Sequence, residues 1–208
     1  MISNAEVTVN GDIARLGARI DPNEDIVKVN GKRIQAFRQD TLTLLVNKPK
    51  GFTCSNSDEH AERLIFELLE PKHRKFRLFC AGRLDLDSQG LVILTNDGNL
   101  AHRLTHPSQK VRKRYQVEIN QPLEHEHFSK LLEGFDEGGE FIRLDEIRVK
   151  YGNPVGSCKL EIILGHGKKR EIRRAFGFFK YRIRKLRRIA IGGLTLGKTP
   201  LGYYRELE

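Results

Sequence analysis

The segment Gly82-Arg83-Leu84-Asp85-Leu86-Asp87 sets two carboxylates two residues apart beside a guanidinium. A cation next to a carboxylate favours its ionised form, which suits a nucleophile or an electrostatic catalyst better than a general acid. Paired carboxylates also admit glycoside hydrolysis, and an Arg83–Asp85 pair can equally be an ordinary loop ion pair. The run Asp85-x-Asp87-x-Gln89 further imitates the start of a calcium loop. That reading fails, because the fifth and twelfth places, which need an oxygen ligand and a bidentate Glu, hold Gln89 and Asn96. The intervening Leu91-Val92-Ile93-Leu94 reads as a buried strand.

Other apparent motifs are weaker. GGLTLGKT at 192–199 matches the phosphate-loop pattern, but Pro200-Leu201-Gly202 follows where a helix must begin. The pairs His102/His106 and His125/His127 complete no recognisable ligand constellation, so no metal site is expected. Cys54, Cys80 and Cys158 are odd in number, widely spaced and without C-x-x-C, against both a disulfide framework and structural zinc. A reducing cytoplasm is the expected setting. No apolar run approaches the roughly 20 residues that span a bilayer, and the first residues do not read as a secretory leader.

Charge is concentrated in one place. Residues 167–188, GKKREIRRAFGFFKYRIRKLRR, carry eleven Lys or Arg and one acid, Glu171, a net +10 equal to that of all 208 residues. The rest of the chain is neutral, so this field points to a polyanion such as nucleic acid. A solvated helix face would intersperse acids at i, i+4. Ile172, Phe176 and Phe179 recur at helical spacing, which predicts an ordered basic helix. Phe178, Phe179 and Tyr181 are candidates to stack on bases, with core packing expected for at least two of them. A sugar hydrolase would leave this charge unexplained, whereas a nucleoside within RNA supplies both a glycosidic bond and phosphates.

The elements that must position these groups follow from periodicity. Residues 5–34 read as short strands with Asn-Gly hairpin turns at 10–11 and 30–31. So small a piece buries little surface alone, which makes residues 1–40 an appendage, with its junction at 35–41. In 41–208, TLTLLVNKPKG is a strand and turn, and ERLIFELLEP a helix with Leu64, Leu68 and Leu69 inward, stopped by Pro71. RLFCAG and LVILTN are strands, and DGNLAHRLTHP is a helix capped by Asp97, with Pro107 beyond its end. KRYQVEI alternates as a strand, LEHEHFSKLLEGF is a helix, and IRLDEIRVKYG and CKLEIIL are strands before the basic helix. Most strand pairs lack a helical crossover. The fold class expected is therefore α+β, a mixed, mainly antiparallel sheet with flanking helices.

Four blocks in order, AGRLDLDSQGLVILTNDG, KRYQVEI, LGHGKKREIRRAF and KLRRIAIGGLTLGKTP, resemble the RsuA-type RNA pseudouridine synthases across residues 42–208. The segment VTVNGDIARLGARIDPNEDIVKVNGKRI resembles the second half of an S4 RNA-binding domain. Because the chain begins near the end of that domain's helix pair, 1–40 is expected to be a partial S4-like unit. The resemblance implies isomerisation of a uridine in RNA, ribosomal RNA first and tRNA second, without a metal or organic cofactor; a monomer is expected. It implies Asp85 as the attacking aspartate, Arg83 as the side chain that holds the flipped nucleotide's place, and Tyr115 packed on the uracil. It implies Arg173 paired with Asp85, with Arg170 close by, and Leu186 lining the base pocket. RNA contacts are expected from Lys168, Lys169, Arg170, Arg174, Arg182, Arg184, Lys185, Arg187 and Arg188. Lys168 and Glu171 stand where this family usually has Arg and Gln. The rival from another class is a non-catalytic RNA-binding or ribosome-assembly factor on the same fold.

Overall fold

The computed structural model describes residues 1–21, 24–34, 40–59 and 61–207. Packing divides the chain into two compact units, Met1–Asp40 and Thr41–Glu208. Residues 35–39 of the expected junction lie outside the described residues.

In the first unit, β1 (Val7–Val9), β2 (Asp12–Ile13), β3 (Val27–Val29) and β4 (Lys32–Arg33) form an antiparallel sheet in the order β2-β1-β3-β4. Both Asn-Gly pairs make the two-residue turns expected of them, with φ of 53° and 102° at Asn10-Gly11 and 49° and 76° at Asn30-Gly31. Val7 is the buried hydrophobic residue among those described in this unit, whereas Ile13, Leu16 and Ile34 stay exposed. That is the small burial its length allows.

The second unit is built on β5 (Thr43–Lys48), β6 (Phe79–Ala81), β7 (Gln89–Thr95), β8 (Lys113–Ile119), β9 (Phe135–Glu137), β10 (Glu140–Ile142), β11 (Glu146–Arg148), β12 (Lys159–Leu164), β13 (Ile183–Ile191), β14 (Leu194–Thr195) and β15 (Tyr204–Glu206). Among the described residues, nine of these strands share one sheet with the path β11-β12-β8-β13-β7-β5-β15, and β14 and β6 are added on β13 and β7. Every pairing in it is antiparallel except β13 with β7, whose ladder holds two residue pairs, Arg187–Gln89 and Arg188–Gly90. The short β9–β10 hairpin stands apart. The unit is thus α+β, mixed and mainly antiparallel, as expected.

Four helices accompany the sheet among the described residues: α1 (Pro71–Arg74), α2 (Gly98–Thr105), α3 (His125–Glu133) and α4 (Glu171–Phe178). Asp97 caps α2 by accepting from the Asn99 and Leu100 amides. On β5, Leu44 and Val46 enter one apolar cluster and Leu45 another; on β7, Val92 and Leu94 oppose Leu91 and Ile93. These strands are buried on both faces, so their sequence is continuously apolar rather than alternating. Val117, Ile119, Leu160, Ile162, Ile172 and Phe176 form the third cluster, which seats α4 against β8 and β12.

Two expected helices differ. Residues Ile65–Leu68 form a single tight 3₁₀ turn, with Ile65 and Leu69 rather than Leu64 and Leu68 buried. Pro71 does not stop a helix but starts α1, at the position where its missing N–H has no partner to lose. The basic helix is likewise only α4; from Ile183 the chain is β13, where Ile183, Ile189 and Ile191 suit a strand. Tyr181 is buried, with its hydroxyl bonded to the Glu124 amide and His127, while Phe178 is half-exposed and stacks on Phe135.

Candidate active site

The Gly82–Ser88 loop joins β6 to β7, and donors from several elements pin its carbonyls. The Arg188 guanidinium donates to Gly82 O at 3.1 Å, Arg83 O at 3.2 Å and, at the start of β7, Leu91 O at 2.7 Å. Asp85 O accepts from the Ser88 amide at 3.1 Å and Leu86 O from the Gly51 amide at 2.9 Å. Asp87 O accepts from Arg173 at 3.1 Å, and Ser88 O from Lys48 Nζ at 2.8 Å. Only Gly fits at position 90, where φ is +112° and a Cβ would stand 2.2 Å from Arg188 O. A loop bonded this densely presents its side chains in fixed positions.

Asp85 and Asp87 share two arginines of the α4 N-terminus. Arg170 lies 3.6 Å from Asp85 and 3.5 Å from Asp87; Arg173 lies 3.9 Å and 3.2 Å away. Arg173 is mostly buried and donates also to Ser88 Oγ at 3.1 Å. Burial pushes it below the ordinary arginine range, and the two aspartates pull it back. A cavity of about 460 Å³ distinguishes the carboxylates: Asp85 lines it and Asp87 does not. Tyr115 from β8, Leu186 from β13, Arg173 and Arg83 line the same cavity. Asp85, Arg83, Tyr115, Arg173 and Leu186, scattered over about half the sequence, therefore meet.

The cationic residues do not form one surface. Lys168 and Arg170 line the cavity and Lys169 is exposed beside them. Arg174 turns instead to Glu137 and Glu140 on the β9–β10 hairpin, and Lys168 also bonds Glu140 and Phe141 O. On β13, side chains alternate: Leu186 and Arg188 pair with Val117 and Tyr115, whereas Lys185 and Arg187 pair with Glu118 and Gln116 on the opposite face. Arg182 and Arg184 are exposed at the start of that strand. Arg188, expected among the RNA contacts, is 4% exposed; it lines the cavity and spends its guanidinium on the loop carbonyls.

Among the described residues no ion pair joins Asp85 to Arg83, which is exposed; its cations are Arg173 and Arg170, the arginines that the resemblance implied. Sequence reasoning missed Lys48, buried at the end of β5. Its burial pushes its ammonium below the ordinary lysine value. The signal available was a lysine closing a strand whose centre, Leu44-Leu45-Val46, is apolar. It also missed Lys113, a cavity-wall lysine likewise lowered by burial. Glu171 is 3% exposed and accepts from the Lys168 amide at 3.1 Å and bonds His166 at 2.9 Å, so it holds the turn before α4. The GGLTLGKT segment is the β13–β14 hairpin, with no helix to receive a phosphate.

A family model described as RNA pseudouridylate synthase matches residues 42–177, about two thirds of the chain. The chain belongs to this family. Over its whole length this synthase is 36% identical, across 211 residues, to an uncharacterized RNA pseudouridine synthase of Aquifex aeolicus, 82% of which is covered. It is 30% identical over 212 residues to the ribosomal large subunit pseudouridine synthase B of Vibrio vulnificus, covering 100% of this chain and 66% of that protein. A crystal structure of a pseudouridylate synthase superposes with a TM-score of 0.72 at 26% identity, covering 100% of this chain and 87% of that one. The resemblance to the RsuA-type synthases is borne out, and the protein is an RNA pseudouridine synthase. Among the described residues no helix is long and apolar enough to cross a membrane.

Proposed function

We propose that this synthase modifies ribosomal RNA and that Asp85 is its nucleophile. The observation that carries the assignment is that Asp85, of the two loop carboxylates, opens onto the cavity while Arg170 and Arg173 stand at its Oδ2. The cavity lies within the usual size range for small-molecule sites, and a nucleobase fits that range. Tyr115 supplies a ring for the uracil and Leu186 an apolar wall. A base stacked in RNA hides its glycosidic carbon, so the uridine must swing out, at a cost of a few kcal/mol. Asp85 then attacks C1′, so that an ester bond forms as the N1–C1′ bond breaks, and the base turns so that C5 bonds to C1′ while the ester breaks and frees the carboxylate. The C5 proton is lost and N1 gains one, so the product is an isomer. Arg170 and Arg173 hold the carboxylate and balance its charge as it changes.

Ribosomal RNA is favoured because the Vibrio vulnificus relative, a ribosomal large subunit synthase, aligns over the full chain. Residues 1–40 are proposed as a partial S4-like RNA contact. The test is to incubate the enzyme with protein-free large-subunit RNA, small-subunit RNA and tRNA, then map pseudouridine. The expected result is a discrete site in ribosomal RNA; modification confined to tRNA would contradict the substrate assignment.

A further inference from the structure

The proposed reaction expels the uracil with the electron pair of the N1–C1′ bond, so the base passes through an anion whose charge spreads over O2 and O4. Most cations of the cavity are already engaged. Arg170 and Arg173 hold Asp85 and Asp87, Lys168 meets Glu140, and Arg188 bonds the loop carbonyls.

Lys113 is not engaged. It opens β8, and its side chain leaves the sheet on the same face as that of Tyr115, two residues and about 7 Å further along the strand. The cross-strand neighbours of Lys113 are Leu164 on β12 and Ile191 on β13; those of Tyr115 are Ile162 and Arg188. Lys113, Tyr115, Leu164 and Ile191 all line the cavity, and the lysine is half-buried there. Among the described residues no hydrogen bond or ion pair engages its ammonium, which is also not sealed from solvent. Burial and the like charge of Arg188 hold it below the ordinary lysine value, with no carboxylate opposing them. A partly desolvated, unpaired cation costs the fold stability, and such groups gather at functional sites.

We propose that Lys113 is a catalytic residue whose ammonium bonds a carbonyl oxygen of the uracil and stabilises the anion formed when the N1–C1′ bond breaks. The proposal rests on the placement of the uridine in this cavity beside Asp85.

As the Asp85 carboxylate becomes a neutral ester, its charge passes to the base. Lys113 gains and loses no proton and stays an ammonium throughout. A fixed cation facing charge that appears only on bond breaking lowers the barrier more than it tightens binding. Partial desolvation strengthens that attraction. The turning of the base fits the same placement. Rotation about the N3–C6 axis carries C5 to the place of N1, and O2 and O4 exchange places. A cation at either carbonyl position therefore meets an oxygen both before and after the turn, and a flexible lysine stem can follow the base between them. A backbone phosphate is the poorer partner, since Lys113 stands in a row with Leu164 and Ile191 beside the Tyr115 ring. A phosphate also keeps its charge throughout, so contact with it would strengthen RNA binding and leave the rate of the bound complex alone.

The test compares Lys113→Met, Lys113→Arg and Asp85→Asn with the wild type in single-turnover pseudouridine formation on total RNA from cells lacking the gene. RNA affinity is read by filter binding and folding by urea titration. With Lys113→Met the rate at saturating enzyme should fall about a hundredfold or more, while RNA affinity should change less than about threefold. Lys113→Arg restores the charge and should recover about tenfold of that loss. If Lys113→Met does not fold, Lys113→Gln, which keeps a donor without the charge, takes its place with the same expectation. A folded variant within about threefold of the wild-type rate overturns the proposal. So does a loss confined to RNA affinity, the mark of a phosphate contact, or a Lys113→Arg enzyme no faster than Lys113→Met. Asp85→Asn separates the two claims. Its loss of rate beside an active Lys113→Met enzyme overturns the role of Lys113 alone, whereas an active Asp85→Asn enzyme overturns the placement of the reaction in this cavity, and Lys113 with it.

Discussion

At the scale of single residues, the two loop carboxylates are separated by environment rather than by type. Asp87 has the closer contact with Arg173, at 3.2 Å, but Asp85 faces the cavity. Asp87→Asn should therefore lower stability and shift Arg173 while leaving measurable turnover; a rate equal to that of Asp85→Asn would show that the two act as one unit. Lys48 carries a pH-dependent prediction. Burial holds its folded-state value below the ordinary 10.5, so between the two values the unfolded chain binds more protons and stability rises with pH. In urea titrations, the wild type should gain stability relative to Lys48→Met as pH rises towards 10.5. An unchanged difference would mean that Lys48 is not charged at a cost in the fold. Asp85 was legible because its flanking block is distinctive. Lys48 was not, since burial of a terminal strand residue depends on the loop that closes over it.

At the scale of elements, the support of the loop rests on the short junction of β7 and β13. Arg188→Met removes three charge-assisted donors and leaves carbonyls of Gly82, Arg83 and Leu91 unpaired. Urea unfolding should show a loss of about 3 kcal/mol, with a lower kcat than KM alone explains. A surface role for Arg188 would instead leave stability unchanged. Gly90→Ala places a Cβ 2.2 Å from Arg188 O and should destabilise by about 3 kcal/mol or more. Strands β5, β7 and β8 and helices α2 and α3 were readable from periodicity and caps. The basic segment was misread beyond residue 178, because charges at Arg182, Arg184, Lys185, Arg187 and Arg188 give no period of their own. What makes 183–191 a strand is its pairing with β8, a long-range contact that local propensity does not encode.

At the scale of the whole molecule, the cationic segment has three destinations: the cavity, the acids of β9 and β10, and the opposite face of the sheet. The number of cations free to meet the RNA beside the cavity is correspondingly smaller than eleven. With about four phosphates neutralised, raising salt from 50 to 200 mM should weaken binding by roughly one and a half to two orders of magnitude. A slope twice as steep, measured by filter binding, would mean that both faces of the sheet engage RNA. Net charge was visible in the sequence; its division between faces required the register of β13 against β8. The most direct measurement for the account as a whole is the initial rate of pseudouridine formation by Asp85→Asn on ribosomal RNA, beside wild type. With native stability retained, the rate should fall by roughly a thousandfold or more. A folded Asp85→Asn enzyme that converts its uridine at near wild-type rate would contradict the assignment.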